Sequence, residues 1–431
     1  MRFSYFRSAL SKSAGLYTFS NSINAAIPFF LLPILTRYMS PQDYGIVAMF
    51  AVLINFLSPF IGLNIHGAIQ RQFYERDRIN YAIYIANCLF ILLISSLIVA
   101  FIVFILKKQF TEISKFPREW LWIVVIFSMC QFINLIVLSI WQVQVKPVQY
   151  SVFQISQSLL NAGFSIWFIV YLGLTWRGRI LANTIAVVIF AIFSVIVITK
   201  NQWAKYLIDK SYLKNALKFG IPLVPHALGA AVMTITDRIF ITNMVGLRAT
   251  GLYSVGYQIG MIIGIIGNSF NQAYVPWLYE KLKQNDYAMK VKIVKFTYLY
   301  FILIILFAVS LAIIAPLGLR IMVGKEFSSS LIFVIWIALG YAFNGMYKMI
   351  VNFIFFAEKT YILAWITFLC ALSNVFFNYV LIKANGAVGA AQAVMITFFL
   401  MFILTWPLSN KVYPMPWFKI NIFSRKSHIM R

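Results

Sequence analysis

Long apolar runs alternate with short polar segments along the whole of this sequence. About 20 apolar residues in a helix are enough to cross the hydrocarbon core of a bilayer, and most of the runs have roughly that length. The pattern therefore predicts an all-α integral membrane protein with about twelve transmembrane helices. The predicted spans are residues 14–37, 44–66, 81–106, 120–141, 150–172, 180–199, 219–244, 251–276, 296–317, 331–356, 361–382 and 388–409.

Composition and charge agree with a protein of the membrane. Hydrophobic residues make up 62% of the 431 residues and charged residues only 11%, which is too apolar for a water-soluble chain. The net charge of +25 invites a nucleic-acid interpretation. Lys and Arg, however, accumulate on the cytoplasmic loops of membrane proteins, and here most of them fall on alternate loops. We therefore expect no nucleic-acid partner, and we expect both termini in the cytoplasm.

A weak internal repeat divides the predicted helices into two halves. Thr36 and Gly45 align at the same offset with Thr242 and Gly251. An even number of helices in each half gives both halves the same orientation, and in such parallel repeats the substrate site lies between the halves. The predicted domains are two six-helix bundles, residues 1–207 and 208–431.

Polar side chains recur inside several predicted spans at steps of three and four residues, which places them on one helix face. Hydrogen bonding between helices explains any one of them. Stripes on several helices together favour a wet cavity, whose neutral donors and acceptors suit a sugar head group. The candidate substrate ligands of this kind are Gln154, Asn161, Asn268, Asn271, Asn344 and Asn352.

Three charged residues lie well inside predicted spans, where a charge is costly unless it faces a cavity or a partner. Arg238 lies about 9 Å from the outer end of its helix, so that cavity lining and snorkelling to the interface both stay open. Lys348 belongs to a polar stripe, which favours the cavity. Asp237 points about 100° away from Arg238 around the helix, so we expect a partner on another helix. If transport uses a proton or sodium gradient, Asp237 is the carboxylate for that coupling.

Glycines at four-residue spacing, Gly256, Gly260 and Gly264, predict a close approach between their helix and another helix of the same bundle. The three cysteines lie singly in apolar segments, and none of the common catalytic or phosphate-binding motifs is present. We therefore expect no catalytic residues, no metal site, no cofactor and no enzymatic activity.

Several segments resemble one family: the GIPLVPHALG run, the DR pair, ATGLYSVGYQIG, VGKEF, GMYK and GAVGAAQA. Together they are similar to the O-antigen and polysaccharide-repeat flippases of the Wzx type. That family belongs to the multidrug/oligosaccharidyl-lipid/polysaccharide (MOP) exporter superfamily. The resemblance covers nearly the whole chain.

The resemblance implies two six-helix bundles around a central cavity that opens alternately to each side of the bacterial inner membrane. It implies a substrate, an oligosaccharide on undecaprenyl diphosphate, that moves from the cytoplasmic to the periplasmic leaflet. The family typically has a cationic cavity, which Arg238 and Lys348 would supply here. It also suggests a polysaccharide polymerase and a chain-length regulator as partners in O-antigen biosynthesis.

Two alternatives remain. A cation-coupled drug antiporter of the same superfamily tends to use an acidic residue in the first helix, and the predicted first helix has none. A membrane-embedded polysaccharide polymerase usually carries a long external loop, and every predicted external loop is short.

Overall fold

The computed structural model describes residues 20, 23–24, 26–359 and 361–417. The predicted cytoplasmic termini and the start of the first predicted span lie outside these residues. The described chain is helical. The helices are α1 (Ala26–Tyr38), α2 (Pro41–Leu57), α3 (Ile65–Gln72), α4 (Tyr81–Ile105), α5 (Lys107–Ser114), α6 (Leu121–Val143), α7 (Pro147–Ile166), α8 (Thr175–Lys200), α9 (Lys210–Gly220), α10 (Leu223–Met244), α11 (Leu247–Gly260), α12 (Ile262–Lys283), α13 (Tyr287–Met322), α14 (Leu331–Phe356), α15 (Tyr361–Asn385) and α16 (Ala387–Val412).

Eight helices within the described residues are long and apolar enough to cross a membrane, with α11 and α12 counted together. Lys210–Gly229 and Thr234–Met244, which meet at a bend of 50°, raise the number to nine if they form one span. The described parts of α1 and α2 are apolar but shorter than a span. Helix α7 carries three glutamines and an asparagine, which explains why its composition alone does not mark it as a span. These eight or nine candidate spans are fewer than the twelve predicted.

The second predicted span, 44–66, is wrong at both ends. Helix α2 begins at Pro41 because Ser40 caps it: the Ser40 hydroxyl accepts from the Asp43 amide at 3.2 Å, and Asp43 accepts from the Ser40 amide at 3.1 Å. The helix ends at Leu57, and the chain turns through the left-handed region at Gly62, Leu63 and Asn64 before α3 begins. A left-handed turn interrupts a helix whatever the hydropathy of its residues, which is why the apolar run did not reveal it.

The outer faces of the helices confirm a multi-pass membrane protein. Leu97, Ile98, Phe101 and Phe104 of α4 are all more than half exposed. Similar apolar faces run along α13 and α15. Water-soluble proteins rarely expose contiguous apolar surface of this extent, whereas lipid covers it at no cost.

The described residues form two compact units. Unit 1 takes the residues up to Ser254 together with Arg320–Ser329, and unit 2 takes Val255–Leu319 and the residues from Ser330 onwards. Their boundary therefore falls inside α11, where the backbone continues without a break. These packing units differ from the predicted halves 1–207 and 208–431, which stay a prediction about the repeat.

Each unit has its own apolar core. In unit 1, Phe50 of α2 packs between Phe116 and Phe127, with ring centroids 5.9 and 5.5 Å away. In unit 2, α14 packs against α12 and α16, and Phe353 is fully buried. These two cores hold the polar side chains described below in fixed positions, since close-packed interiors leave little room for rearrangement.

The close approach predicted from the glycine spacing is confirmed in unit 2. A Cβ atom on Gly260 would lie 2.7 Å from the Cβ of Ile337 on α14, and one on Gly264 would lie 2.5 Å from the Tyr341 ring. A Cβ on Gly256 would lie 2.5 Å from the Ser330 carbonyl oxygen. All three distances are shorter than real Cβ contacts, so these helices can only touch through glycine.

A second glycine contact, in unit 1, is formed by Gly45 and Gly251, which the weak sequence repeat aligns with each other. A Cβ on Gly45 of α2 would lie 2.1 Å from the carbonyl oxygen of Leu247, four residues before Gly251. A Cβ on Gly251 of α11 would lie 1.8 Å from the carbonyl oxygen of Pro41, four residues before Gly45. The contact is therefore reciprocal, as expected where equivalent helices cross at a local two-fold axis.

Candidate functional site

The charged pair of α10 forms a small cluster with α11 inside unit 1. Asp237 is 2% exposed and accepts a hydrogen bond from the Tyr253 hydroxyl. Its other oxygen accepts from the Arg238 backbone amide at 2.8 Å and lies 3.4 Å from Nη1 of the Arg238 side chain. Asp237 thus has the partner on another helix that its position indicated, and it also contacts Arg238, which the angular argument did not anticipate.

The Arg238 guanidinium is held close to its own helix. Nη1 donates to the Thr234 carbonyl oxygen at 2.9 Å, and Cζ lies 5.7 Å from the centre of the Tyr253 ring. Thr234 lies one turn before Arg238, so this bond holds the guanidinium away from the end of α10 at Met244. Asp237 balances the charge of Arg238, whose side chain is 17% exposed. That Arg238 lines a cavity stays a prediction.

Unit 2 contains a row of polar pairs between α12 and α14. The Lys348 ammonium donates to the side-chain oxygen of Asn268, and the Asn352 amide donates to Asn271 at 2.9 Å. Residues 268 and 271, like 348 and 352, are about one turn apart, so the two pairs lie one above the other. The structure therefore brings together four of the side chains that the polar stripes predicted as ligands.

Lys348 differs from Arg238 in having no acidic partner in the part of the chain that the structure describes. Within the described residues, no carboxylate lies within ion-pair distance of its ammonium, and its hydrogen bond goes to a neutral amide. Asn344, one turn earlier on α14, is half-buried and makes no hydrogen bond to any described residue. One uncompensated cation and one amide with unused donors and acceptors therefore lie next to each other.

The predicted ligands of α7 lie in unit 1 and are already bonded to neighbouring helices. Gln154 accepts from Asn24 at 3.2 Å, and Ser158 donates to Asn24 at 2.7 Å. These bonds match the plainer explanation of the stripe, that it holds helices together. Asn161, two turns further along, behaves differently, because its partner is a charged residue.

Arg179 of α8 is the residue that the sequence did not single out. Its Nη1 donates to Asn161 at 2.8 Å and to the Ser165 hydroxyl at 2.5 Å. The sixth predicted span begins at residue 180, which assigned Arg179 to a loop, whereas α8 begins at Thr175 and carries Arg179 into the helix bundle. Gly173 marks a turn in the sequence, and a predicted span that began directly after this turn would have included Arg179.

No cluster of three or more His, Cys, Asp or Glu side chains that could hold a metal ion occurs in the part of the chain that the structure describes. The polar side chains in both units are mostly neutral amides and hydroxyls, joined by three buried or half-buried cations. Amides, hydroxyls and cations are groups that can bind polar or anionic ligands.

The fold is that of known transporters. The structure is similar to the lipid II flippase MurJ in an inward closed conformation, with a TM-score of 0.74, 14% identity, and 92% of this chain and 87% of that chain covered. It is also similar to an inward-facing multidrug resistance MATE family transporter of the MOP superfamily, with a TM-score of 0.63, 16% identity, and 92% and 93% covered. The chain is therefore a multi-pass membrane protein whose fold matches that of the MurJ and MATE proteins.

Within that class, the chain belongs to the polysaccharide biosynthesis protein family, whose model matches residues 10–282. It is 25% identical over 398 residues to an uncharacterized membrane protein of Haemophilus influenzae, covering 90% of this chain and 95% of the relative. It is 23% identical over 415 residues to the capsular polysaccharide biosynthesis protein CapF of Staphylococcus aureus, covering 91% and 98%. The Lsg locus putative protein 1 of H. influenzae is 24% identical over 402 residues, covering 90% and 97%.

Proposed function

We propose that this protein is a flippase that moves an undecaprenyl-diphosphate-linked oligosaccharide from the cytoplasmic to the periplasmic leaflet of a bacterial inner membrane by alternating access. The oligosaccharide is an O-antigen unit or a related polysaccharide repeat unit. The family membership and the transporter fold support the proposal, and the chain's own residues carry it further. In this proposal the chain has twelve spans and both termini are cytoplasmic.

The observation that carries the proposal is the environment of Lys348. A half-buried cation without a carboxylate partner is costly, because the bonds it makes to neutral groups replace only part of its hydration. An anionic substrate removes that cost when it binds. A lipid diphosphate is such a substrate, and its head group cannot cross the hydrocarbon core without polar contacts of this kind.

The amides around Lys348 give the proposed site a second role. Asn268, Asn271, Asn344 and Asn352 present carbonyl oxygens and amino groups within one or two turns of the ammonium. Neutral amides bind sugar hydroxyls in either donor or acceptor direction. A diphosphate on Lys348 would therefore leave the first sugars against these amides, while the lipid tail remains in the bilayer.

Asp237 supplies a route for coupling to a proton or sodium gradient. While it is ionised, Asp237 balances the charge of Arg238, to which it lies at 3.4 Å. Binding of H⁺ or Na⁺ to this carboxylate would free the positive charge of Arg238 for the diphosphate. The ion and the anionic substrate would then favour each other's binding, and by linkage the effect is reciprocal.

The test of the function is deletion of the gene followed by analysis of the lipid-linked sugars. Single, unpolymerised repeat units should accumulate on the cytoplasmic side of the membrane, and the gene carried on a plasmid should restore surface polysaccharide. Repeat units that still reach the periplasmic leaflet at the normal rate in the deletion strain would refute the proposal.

Reporter fusions test the orientation on which this direction of transport depends. A reporter that is active only in the periplasm should be silent at Arg78, Lys210 and Lys290 and active near Arg248. Activity at Lys210 would overturn both the orientation and the number of spans that precede it.

A cation-coupled antiporter is the second candidate, favoured by the similarity to the MATE family transporter and by the buried carboxylate of Asp237. The two candidates differ in what the deletion strain accumulates. An antiporter deletion should leave surface polysaccharide intact and increase sensitivity to cationic drugs.

A further inference from the structure

Arg179 is a second half-buried cation that has no acidic partner among the described residues. Its hydrogen bonds run from Nη1 to the neutral oxygens of Asn161 and Ser165. No carboxylate among the described residues lies within ion-pair distance of its guanidinium. The charge of Arg179 is therefore uncompensated in unit 1, as that of Lys348 is in unit 2.

Only part of the guanidinium is used by the protein. An arginine carries five N–H donors, and those on Nε and Nη2 of Arg179 have no partner among the described residues. These atoms are also not sealed from solvent, since neither is among the fully enclosed polar atoms that lack a partner. Two such donors in one plane can bind two oxygens of one anion.

Asn161 and Ser165 do not need Arg179 for their own hydrogen bonds. The Ser165 hydroxyl lies 2.6 Å from the Asn161 carbonyl oxygen and 3.3 Å from its side-chain oxygen, within the same turn of α7. A role confined to satisfying these two groups would not require a charged residue. Their effect on Arg179 is to fix its orientation, because two bonds from a single nitrogen hold the guanidinium plane in place.

We propose that Arg179, oriented by Asn161 and Ser165, forms a phosphate-binding subsite in unit 1, in addition to the Lys348 site of unit 2. Its ligand is a diphosphate, either on the lipid substrate or free. The lipid source rests on the proposed function. A transported head group then has a cation to bind in each unit.

Four variants of the full-length protein in detergent test the subsite, with farnesyl diphosphate and inorganic pyrophosphate as probes in titration calorimetry. Arg179→Gln should weaken binding about tenfold or more, since a charge-assisted hydrogen bond is lost. Arg179→Lys should recover part of the affinity. The matched control is Arg177→Gln, because Arg177 is exposed and lies over the neighbouring Trp176 ring at 5.4 Å.

The decisive variant is Asn161→Asp, which keeps the guanidinium but gives it a carboxylate at the 2.8 Å position. An internal ion pair competes with the ligand, so affinity should fall about as far as in Arg179→Gln, whereas the melting temperature should stay the same or rise. If Arg179 had only a structural role, Asn161→Asp would be stable and would bind both probes with unchanged affinity. Normal binding by folded Asn161→Asp or Arg179→Gln would overturn the proposal, as would an unmodified protein that binds neither probe.

The two probes separate the sources of the phosphate. Binding of farnesyl diphosphate much more tightly than pyrophosphate supports a lipid ligand, and equal affinities support a free one. The outcome is also distinguishable from failure of the proposed function. If binding depends on Arg179 but the deletion strain distributes lipid-linked units normally, the subsite is supported and the flippase function is refuted. If binding does not depend on Arg179 but repeat units accumulate on the cytoplasmic side, the flippase function is supported and the subsite is refuted.

Discussion

The reciprocal glycine contact between α2 and α11 gives the sharpest stability prediction. In Gly251→Ala the new methyl carbon would lie 1.8 Å from the Pro41 carbonyl oxygen and 2.9 Å from the Gly45 nitrogen. Real Cβ atoms essentially never approach closer than 3.0 Å, so the two backbones must separate by more than an ångström. Both of these contacting atoms belong to helix backbone, which cannot turn away as a flexible side chain would.

The expected cost follows from two opposing terms. Inserting a methyl group into a closely packed contact costs about 1–3 kcal/mol. Replacing a helical glycine by alanine returns about 0.5–1 kcal/mol through the lower entropy of the unfolded chain. Because the contact is backbone to backbone, we expect the upper end of the first range and a net loss of about 2 kcal/mol. Gly45→Ala should behave alike, since its Cβ would lie 2.1 Å from the Leu247 oxygen.

The assay is thermal unfolding of the purified protein in detergent, followed by the fraction that remains monodisperse. The matched control is Gly163→Ala in α7, where nothing lies within 4 Å of the new methyl group, so that its melting temperature should be unchanged or higher. Once one substitution has separated the helices, the other has less contact left to disrupt. The double variant Gly45→Ala/Gly251→Ala should therefore lose less stability than the sum of the two single variants. Equal melting temperatures for Gly251→Ala and Gly163→Ala would refute the close contact.

Three further predictions concern charged groups. Tyr253→Phe should lower stability by about 1.5–3 kcal/mol in thermal unfolding, because the buried Asp237 carboxylate loses a donor. Lys348→Ala should greatly reduce surface polysaccharide in a deletion strain at normal folded yield, while arginine at this position should restore part of it. The hydrogen bond from Ser211 holds the pKa of Asp209, which lies outside the spans, below its ordinary value of 3.8. Ser211→Ala should therefore lower the melting temperature above about pH 4, and the difference should vanish as the pH falls through the Asp209 pKa.

Each of these has its own control. Tyr257→Phe removes a hydroxyl that bonds at 2.6 Å to another tyrosine, Tyr341, and should cost less than Tyr253→Phe because neither group is charged. Lys359→Ala removes an exposed lysine a few residues after α14 and should leave polysaccharide export unchanged. The Ser211 prediction is contradicted if the difference in melting temperature persists below the Asp209 pKa, because the bond would then not depend on the ionised carboxylate.

The sequence by itself determined the membrane class and most helix positions. The apolar runs correspond closely to α4, α6, α8 and α13–α16, because the thickness of the bilayer sets the length of a spanning helix and leaves it visible in one dimension. The glycine spacing determined the close approach of α11 and α12 to α14 for a similar reason. Residues four apart share a helix face without any knowledge of the partner.

The tertiary structure alone decided which polar side chains meet. Asn268 and Lys348 are 80 residues apart, and hydropathy gives no indication that they pair. Arg179 lay just outside a predicted span, and only the folded chain shows that its guanidinium bonds to Asn161 and pairs with no described carboxylate. Whether a charge is balanced depends on neighbours from other helices, because electrostatic energy depends on distance in space and not on separation along the chain.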